Sequence, residues 1–338
     1  MRNLQSNIGV QYTTLGDTPR RGEVVGYHSS PRTNFRLGAT ADDVSGLSAS
    51  DKLNVIDGPF GVNNYEAKAK FAIGFEVEKT SLRRGAVMEY PLFKGFETDS
   101  SCGYEAITHV LPLVGRSMWR TKVFNMFAEA KHIIDEQYSP SDSRCGGHMT
   151  FSVDGMAGHQ LMDLIRPFSG IMYALFRKRL NNQYCNGNIE MASSFGYSKY
   201  TICKINDYSL EFRVPSRITS VKCMMDRYKL IYAILDFAIN QPDARLSKFH
   251  RAIRPIILSM YEGNVEKADA ILGLAVHFTQ FLKTGKIDKY TCGWFEGWTS
   301  RRNNNFGSLR RKYKRTFRPI GCQQSSLNEF KERYEILL

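Results

Sequence analysis

Phe71-Ala72-Ile73-Gly74-Phe75-Glu76-Val77-Glu78 is the run whose reading decides the fold. It is apolar and β-prone, so it reads as a strand. Side chains two apart on a strand share a face, which puts Glu76 and Glu78 together. Carboxylates turned inward on a sheet carry a desolvation cost that ordinary core positions avoid, unless a cation or an arginine compensates them. A sheet lined with carboxylates that hold Mg²⁺ is the economical reading. A solvated sheet face carrying alternate charges is the plainer one.

Four further polar clusters lie in or beside strand-like stretches. They are Glu97-Thr98-Asp99-Ser100-Ser101, Glu105, Gly146-Gly147-His148 and Leu210-Glu211-Phe212-Arg213. Strands are expected over 71–78, 85–93, 104–110 and 147–154, and helices over 116–138, 158–180 and 220–240. Two short strands, 200–205 and 209–214, are joined by a turn containing Asn206 and Asp207, a connection that only a hairpin can make. The fold class expected is α+β: a curved, largely antiparallel sheet with helices on one face, the charged clusters on the other, and a helical region following. Two more helices are expected within 245–283.

The chain of 338 residues is 42% hydrophobic and 12% aromatic, so it can bury one large core or two modest ones. No apolar run approaches the ~18 residues of a membrane span. The first residues lack the apolar stretch of a signal peptide. A soluble, cytoplasmic protein with no membrane partner is the expectation. The seven cysteines include no C-x-x-C pair, which argues against a zinc or redox motif. Cys102 and Cys145 sit beside the polar clusters, with no neighbouring histidine in sequence to activate a thiol.

The expected domains are an irregular arm over 1–65, a core over 66–240 and a helical extension over 241–338. Much of the net charge of +13 falls in a basic tail at 301–318, where eight cations (Arg301, Arg302, Arg310, Arg311, Lys312, Lys314, Arg315 and Arg318) occur with no acid. Phe306, Tyr313 and Phe317 interleave with them, which suits nucleic acid through phosphate contact and stacking. A solvated surface or an arm for an acidic partner chain fits the same segment. Oligomerisation is also open.

Taken together, Gly74 to Glu78, Asp99 followed by Glu105, Cys145-Gly146-Gly147-His148, Arg179 with Asn182, Tyr184 and Cys185, and Tyr208 to Pro215 resemble the amidoligase family. That family belongs to the carboxylate–amine ligase superfamily, with the fold of glutamine synthetase and glutamate–cysteine ligase. The resemblance covers about residues 68–240. It implies an ATP- and Mg²⁺-dependent ligase that phosphorylates a carboxylate and lets an amine displace the phosphate, giving an amide or isopeptide-like bond. Substrates would be a carboxylate and an amine on an amino acid, a peptide or a protein side chain.

By this resemblance Glu76, Glu78, Glu105 and Glu211 are metal ligands, and His148 lies near nucleotide and metal. Arg213 faces phosphate. Where the family usually has a second histidine, this chain has Thr150, whose hydroxyl can donate to a phosphate but carries no imidazole charge. Arg179 joins Arg213 as a candidate because guanidinium pairs with phosphate in a fixed fork. Asp99 is the candidate to accept the proton of the incoming ammonium. The rival reading is a non-catalytic relative of the same fold that serves binding or assembly.

For each candidate a purely structural role is available. His148 can be a satisfied core histidine, Glu211 and Arg213 a same-face ion pair, and Asp99 a turn residue. Arg179 can complement a helix dipole.

Overall fold

The computed structural model describes residues 24–25, 69–81, 87, 90, 92–99, 102–108, 110–135, 144–153, 156–180, 182, 184–185, 195–197, 200–206, 209–285, 288, 290–291 and 294. Of the expected arm over 1–65 only Val24 and Val25 are among them, and the basic tail at 301–318 lies outside them.

The strands are β1 (Val24–Val25), β2 (Phe71–Lys79), β3 (Phe93–Asp99), β4 (Gly103–Thr108), β5 (Leu111–Leu113), β6 (Met149–Val153), β7 (Phe195–Gly196), β8 (Cys203–Ile205) and β9 (Leu210–Phe212). The α-helices are α1 (Met118–Glu129), α2 (Lys131–Ile134), α3 (Gly158–Ile165), α4 (Gly170–Leu175), α5 (Val221–Asn240), α6 (Leu246–Met260) and α7 (Val265–Thr284). The chain divides into two compact units, each made of several separate stretches of sequence. The first takes Met1–Leu161, Ile205–Phe212 and Ser216–Tyr232, and the second takes the rest. Segment 162–204 falls in the same unit as residues 233–338.

In the first unit the strands run β1-β3-β4-β2-β6-β9, with β5 also on β2. Pairing is antiparallel throughout except β1 on β3, so the α+β class with a curved, largely antiparallel sheet is observed. β2 is buried at all nine positions, and its two faces differ in kind. The odd face is aromatic and meets helices: Phe75 makes an edge contact with Phe127 of α1, and Phe71 approaches Tyr232 of α5. Lys79 ends that face, its ammonium donating to the carbonyls of Ile134 and Asp135 at the end of α2. Phe151 and Phe212 continue the aromatic face onto β6 and β9. The even face carries Ala72, Gly74, Glu76 and Glu78.

The sequence expectation places a strand over 85–93, but β3 begins at Phe93. Tyr90 N donates to Val87 O and Phe93 N to Tyr90 O, bonds three residues apart rather than bonds of a ladder. Pro91 has no N–H for a ladder, which accounts for the late start. The expected helix 116–138 is divided at Ala130. That over 158–180 becomes α3, α4 and two 3₁₀ turns, the first containing Pro167.

The second unit packs its helices around Phe168, Phe237 and Phe249, whose ring centroids lie 5.1–5.9 Å apart. Tyr173 of α4 sits against Phe278 of α7. Asn264 caps α7, its side chain accepting from Lys267 N. β7 and β8 pair in parallel in this unit. No helix among the described residues is long and apolar enough to cross a membrane.

Candidate metal centre

Four strands of the first unit bring their polar residues to one face of the sheet. Glu78 on β2 and Glu105 on β4 are direct partners across the ladder. On the other side of β2, Gly74 faces Thr150, and Thr150 faces Glu211 of β9. Partners in a ladder project to the same side, so this register collects the acids. His148 stands just before β6, and its carbonyl accepts from the Glu76 N–H at 3.2 Å.

The His148 imidazole lies among three carboxylates. Its Nδ1 is 2.6 Å from Glu76 Oε2 and 3.7 Å from Glu211 Oε1, and its Nε2 is 3.6 Å from Glu78 Oε1. The ring and all four glutamates are buried, Glu211 completely. Ligand atoms of Glu76, His148 and Glu211 lie within 4.8 Å of one another. So do those of Glu78, Cys102 and Glu105. Around one ion with bonds of ~2.1 Å, donor atoms stand roughly 3–4 Å apart. Small side-chain rotations would close either group on a cation.

Electrostatics agree with that donor set. Burial pushes the Glu78 carboxyl above its ordinary range; the neighbouring His148, the Gly146 N–H and Cys145 oppose the rise, and Glu76 adds to it. Gly146 N donates to Glu78 Oε2 at 2.8 Å. A divalent cation would relieve the mutual repulsion of these acids, so oxygen donors with one imidazole and one thiol fit such an ion.

The Gly146-Gly147 segment is sterically committed at both glycines. A Cβ at Gly146 would lie 2.6 Å from His148 Nε2 and 3.2 Å from Glu78 Oε1. One at Gly147 would lie 2.4 Å from the Arg227 guanidinium and 2.5 Å from Ser216 O. Arg227, buried on α5, reaches this segment at the Gly147 carbonyl.

Of the expected site residues, the structure brings Glu76, Glu78, Glu105, Glu211, His148 and Thr150 onto one sheet face. Asp99 closes β3 opposite Gly103, and its side chain is outside the described residues. Arg213 and Arg179 belong to the second unit. There Arg213 N donates to Ile202 O, and Arg179 Nε donates to Val214 O at 3.1 Å. Both side chains are buried.

Two residues acquire a place that sequence reasoning did not assign them. Cys102 supplies a donor atom to the second group. Arg227 falls three residues after Met224 and four before Ile231, on the buried stripe of α5. A cation at that spacing on an apolar face was the available signal.

No protein-family model matches the chain, and no curated protein matches it. Among solved structures, one described as apo GmaS without ligand is similar at 12% identity and a TM-score of 0.32, over 73% of this chain and 72% of that one. A likeness that distant leaves the reading of this chain to its own residues.

Proposed function

We propose that the first unit binds divalent cations together with ATP and that the protein is an ATP-dependent carboxylate–amine ligase. The observation that carries the reading is the convergence of Glu76, Glu78 and Glu211 around His148, with Glu105 beside Glu78, on a buried sheet face. The family resemblance of the same residues supplies the reaction class.

Glu76 and Glu211 with His148 would hold one cation, and Glu78 with Glu105 a second. Ions held by these residues would supply charge neutralisation to a triphosphate in transfer of its γ-phosphoryl group to a carboxylate. The sheet face supplies fixed, buried acceptors that exclude water from around the ions. Thr150 offers a hydroxyl to phosphate. Arg213 and Arg179 remain proposed phosphate-binding cations on their chemistry. Asp99 is the proposed acceptor of the ammonium proton.

Thr150 at the position of the family's second histidine favours a second reading, a non-catalytic relative that retains ion binding. One experiment separates the two. The full chain is mixed with Mg-ATP and pooled amino acids and amines, and its melting temperature and ADP release are followed. Ligand binding to the folded state raises the melting temperature by mass action. A shift with amine-dependent ADP release supports the ligase, and a shift without release supports the non-catalytic relative. No shift with Mg²⁺ or Mn²⁺ overturns both.

A further inference from the structure

We propose that Arg227 positions the His148 imidazole by clamping the Gly146-Gly147 segment, and thereby sets the geometry in which the carboxylate cluster receives a cation. The inference deepens the cation-binding reading and rests on it for its effect on metal affinity.

The guanidinium makes four hydrogen bonds to two separate segments. Its Nη1 donates to Ser216 O at 2.7 Å and to Gly147 O at 3.4 Å. Its Nη2 donates to Ser216 Oγ at 3.2 Å and to Arg217 O at 3.1 Å. Gly146 also forms an antiparallel bridge with Ser216, so the glycine segment and the segment after β9 are tied together where Arg227 enters. A planar fork satisfies such divergent acceptors at once, which an ammonium on a flexible stem does not.

His148 is consequently held at both of its flanks. Arg227 bonds the carbonyl preceding it, and the Glu76 N–H bonds its own carbonyl. The ring then enters the space that the missing Gly146 side chain leaves beside Glu78. Arg227 acts through the backbone rather than on the donor atoms, which makes it a positioning residue. Its platform is the 20-residue helix α5, a more rigid support than a loop would be.

The test compares wild type with Arg227→Lys and Arg227→Met in the full chain, at a temperature where circular dichroism shows each folded. Two readouts are taken. One is the NMR signal of the His148 ring in metal-free protein, with His250 of the second unit as internal control. The other is Mn²⁺ affinity by electron paramagnetic resonance.

Arg227→Met is expected to shift the His148 signal while leaving that of His250 in place, and to weaken Mn²⁺ binding about 10- to 100-fold, the range for loss of a group that orients a ligand. Arg227→Lys should fall between. A role confined to folding stability would lower the melting temperature and leave both readouts unchanged in the folded variant, and that result overturns the proposal. If Arg227→Met does not fold, Arg227→Lys decides on the same criteria. Failure of the wild type to bind Mn²⁺ overturns the cation reading by itself, and the His148 signal still decides whether Arg227 positions the ring.

Discussion

Glu78 and Glu105 stand directly opposite each other across β2 and β4, both buried. Like charges at opposed ladder positions destabilise a sheet. Their retention there gives the metal-free protein a strained face whose behaviour can be measured.

Glu78→Gln should make the metal-free protein more stable at neutral pH and flatten its response to pH. The Glu78 carboxyl is raised in the folded protein above the ordinary value of 4.5, chiefly by burial. Below pH 4.5 both folded and unfolded chains carry the proton, and its stabilising contribution is fully present. As pH rises the unfolded chain ionises first, so stability falls until the folded carboxyl has also ionised. Melting temperatures in chelator from pH 4 to 8 should decline more steeply for wild type than for the variant. Parallel curves would count against the burial of this charge.

Cys102 in the second donor group makes that group softer than an all-oxygen set. Cys102→Ser should therefore weaken Cd²⁺ binding on the order of tenfold, about 1.4 kcal/mol, with a smaller change for Mn²⁺. Competition titrations of the two ions on the full chain measure the difference. Equal losses for both would remove the thiol from the site.

Tyr228 ties α5 to the strand region by two bonds of its hydroxyl, donating to Pro112 O at 2.6 Å and accepting from Val114 N at 2.8 Å. Burial holds its phenol well above the usual range, so it stays protonated and able to donate. Tyr228→Phe leaves both backbone groups without that partner and should cost about 1–3 kcal/mol. Urea unfolding monitored by circular dichroism gives the number.

His250 in α6 has its pKa lowered from 6.5 to about 4 by burial. The unfolded chain takes up a proton as pH falls through 6.5, while the folded protein resists until about 4. Its contribution to stability is thus full above pH 6.5 and disappears toward pH 4. His250→Leu should reduce the drop in melting temperature between pH 7 and pH 4.5. An unchanged drop would place the acid sensitivity elsewhere.

The period of two in Phe71–Glu78 was enough to put Glu76 and Glu78 on one face, and the Asn206–Ser209 hairpin was enough to make the sheet antiparallel. Both are local regularities. The partnership of Glu78 with Glu105, and of Thr150 with Glu211, depends on register between distant strands, which no local pattern states. Gly146 and Gly147 were legible as the entry to a strand, but not as the two sides of a slot filled by an imidazole and a guanidinium. The division of the helix over 158–180 follows from Pro167, a breaker visible in the sequence.

Lys79 gives β2 a further property. One strand carries an aromatic series on one face that ends in a cation, and small residues followed by two anions on the other. A slip of one residue would thrust Glu76 and Glu78 among Phe127 and its neighbours, and would turn the aromatics toward the acids. It would also withdraw the ammonium from the carbonyls of Ile134 and Asp135. Misalignment of the central strand is therefore penalised at both ends at once. The charges that make the native face costly also act as a key that admits a single alignment during folding.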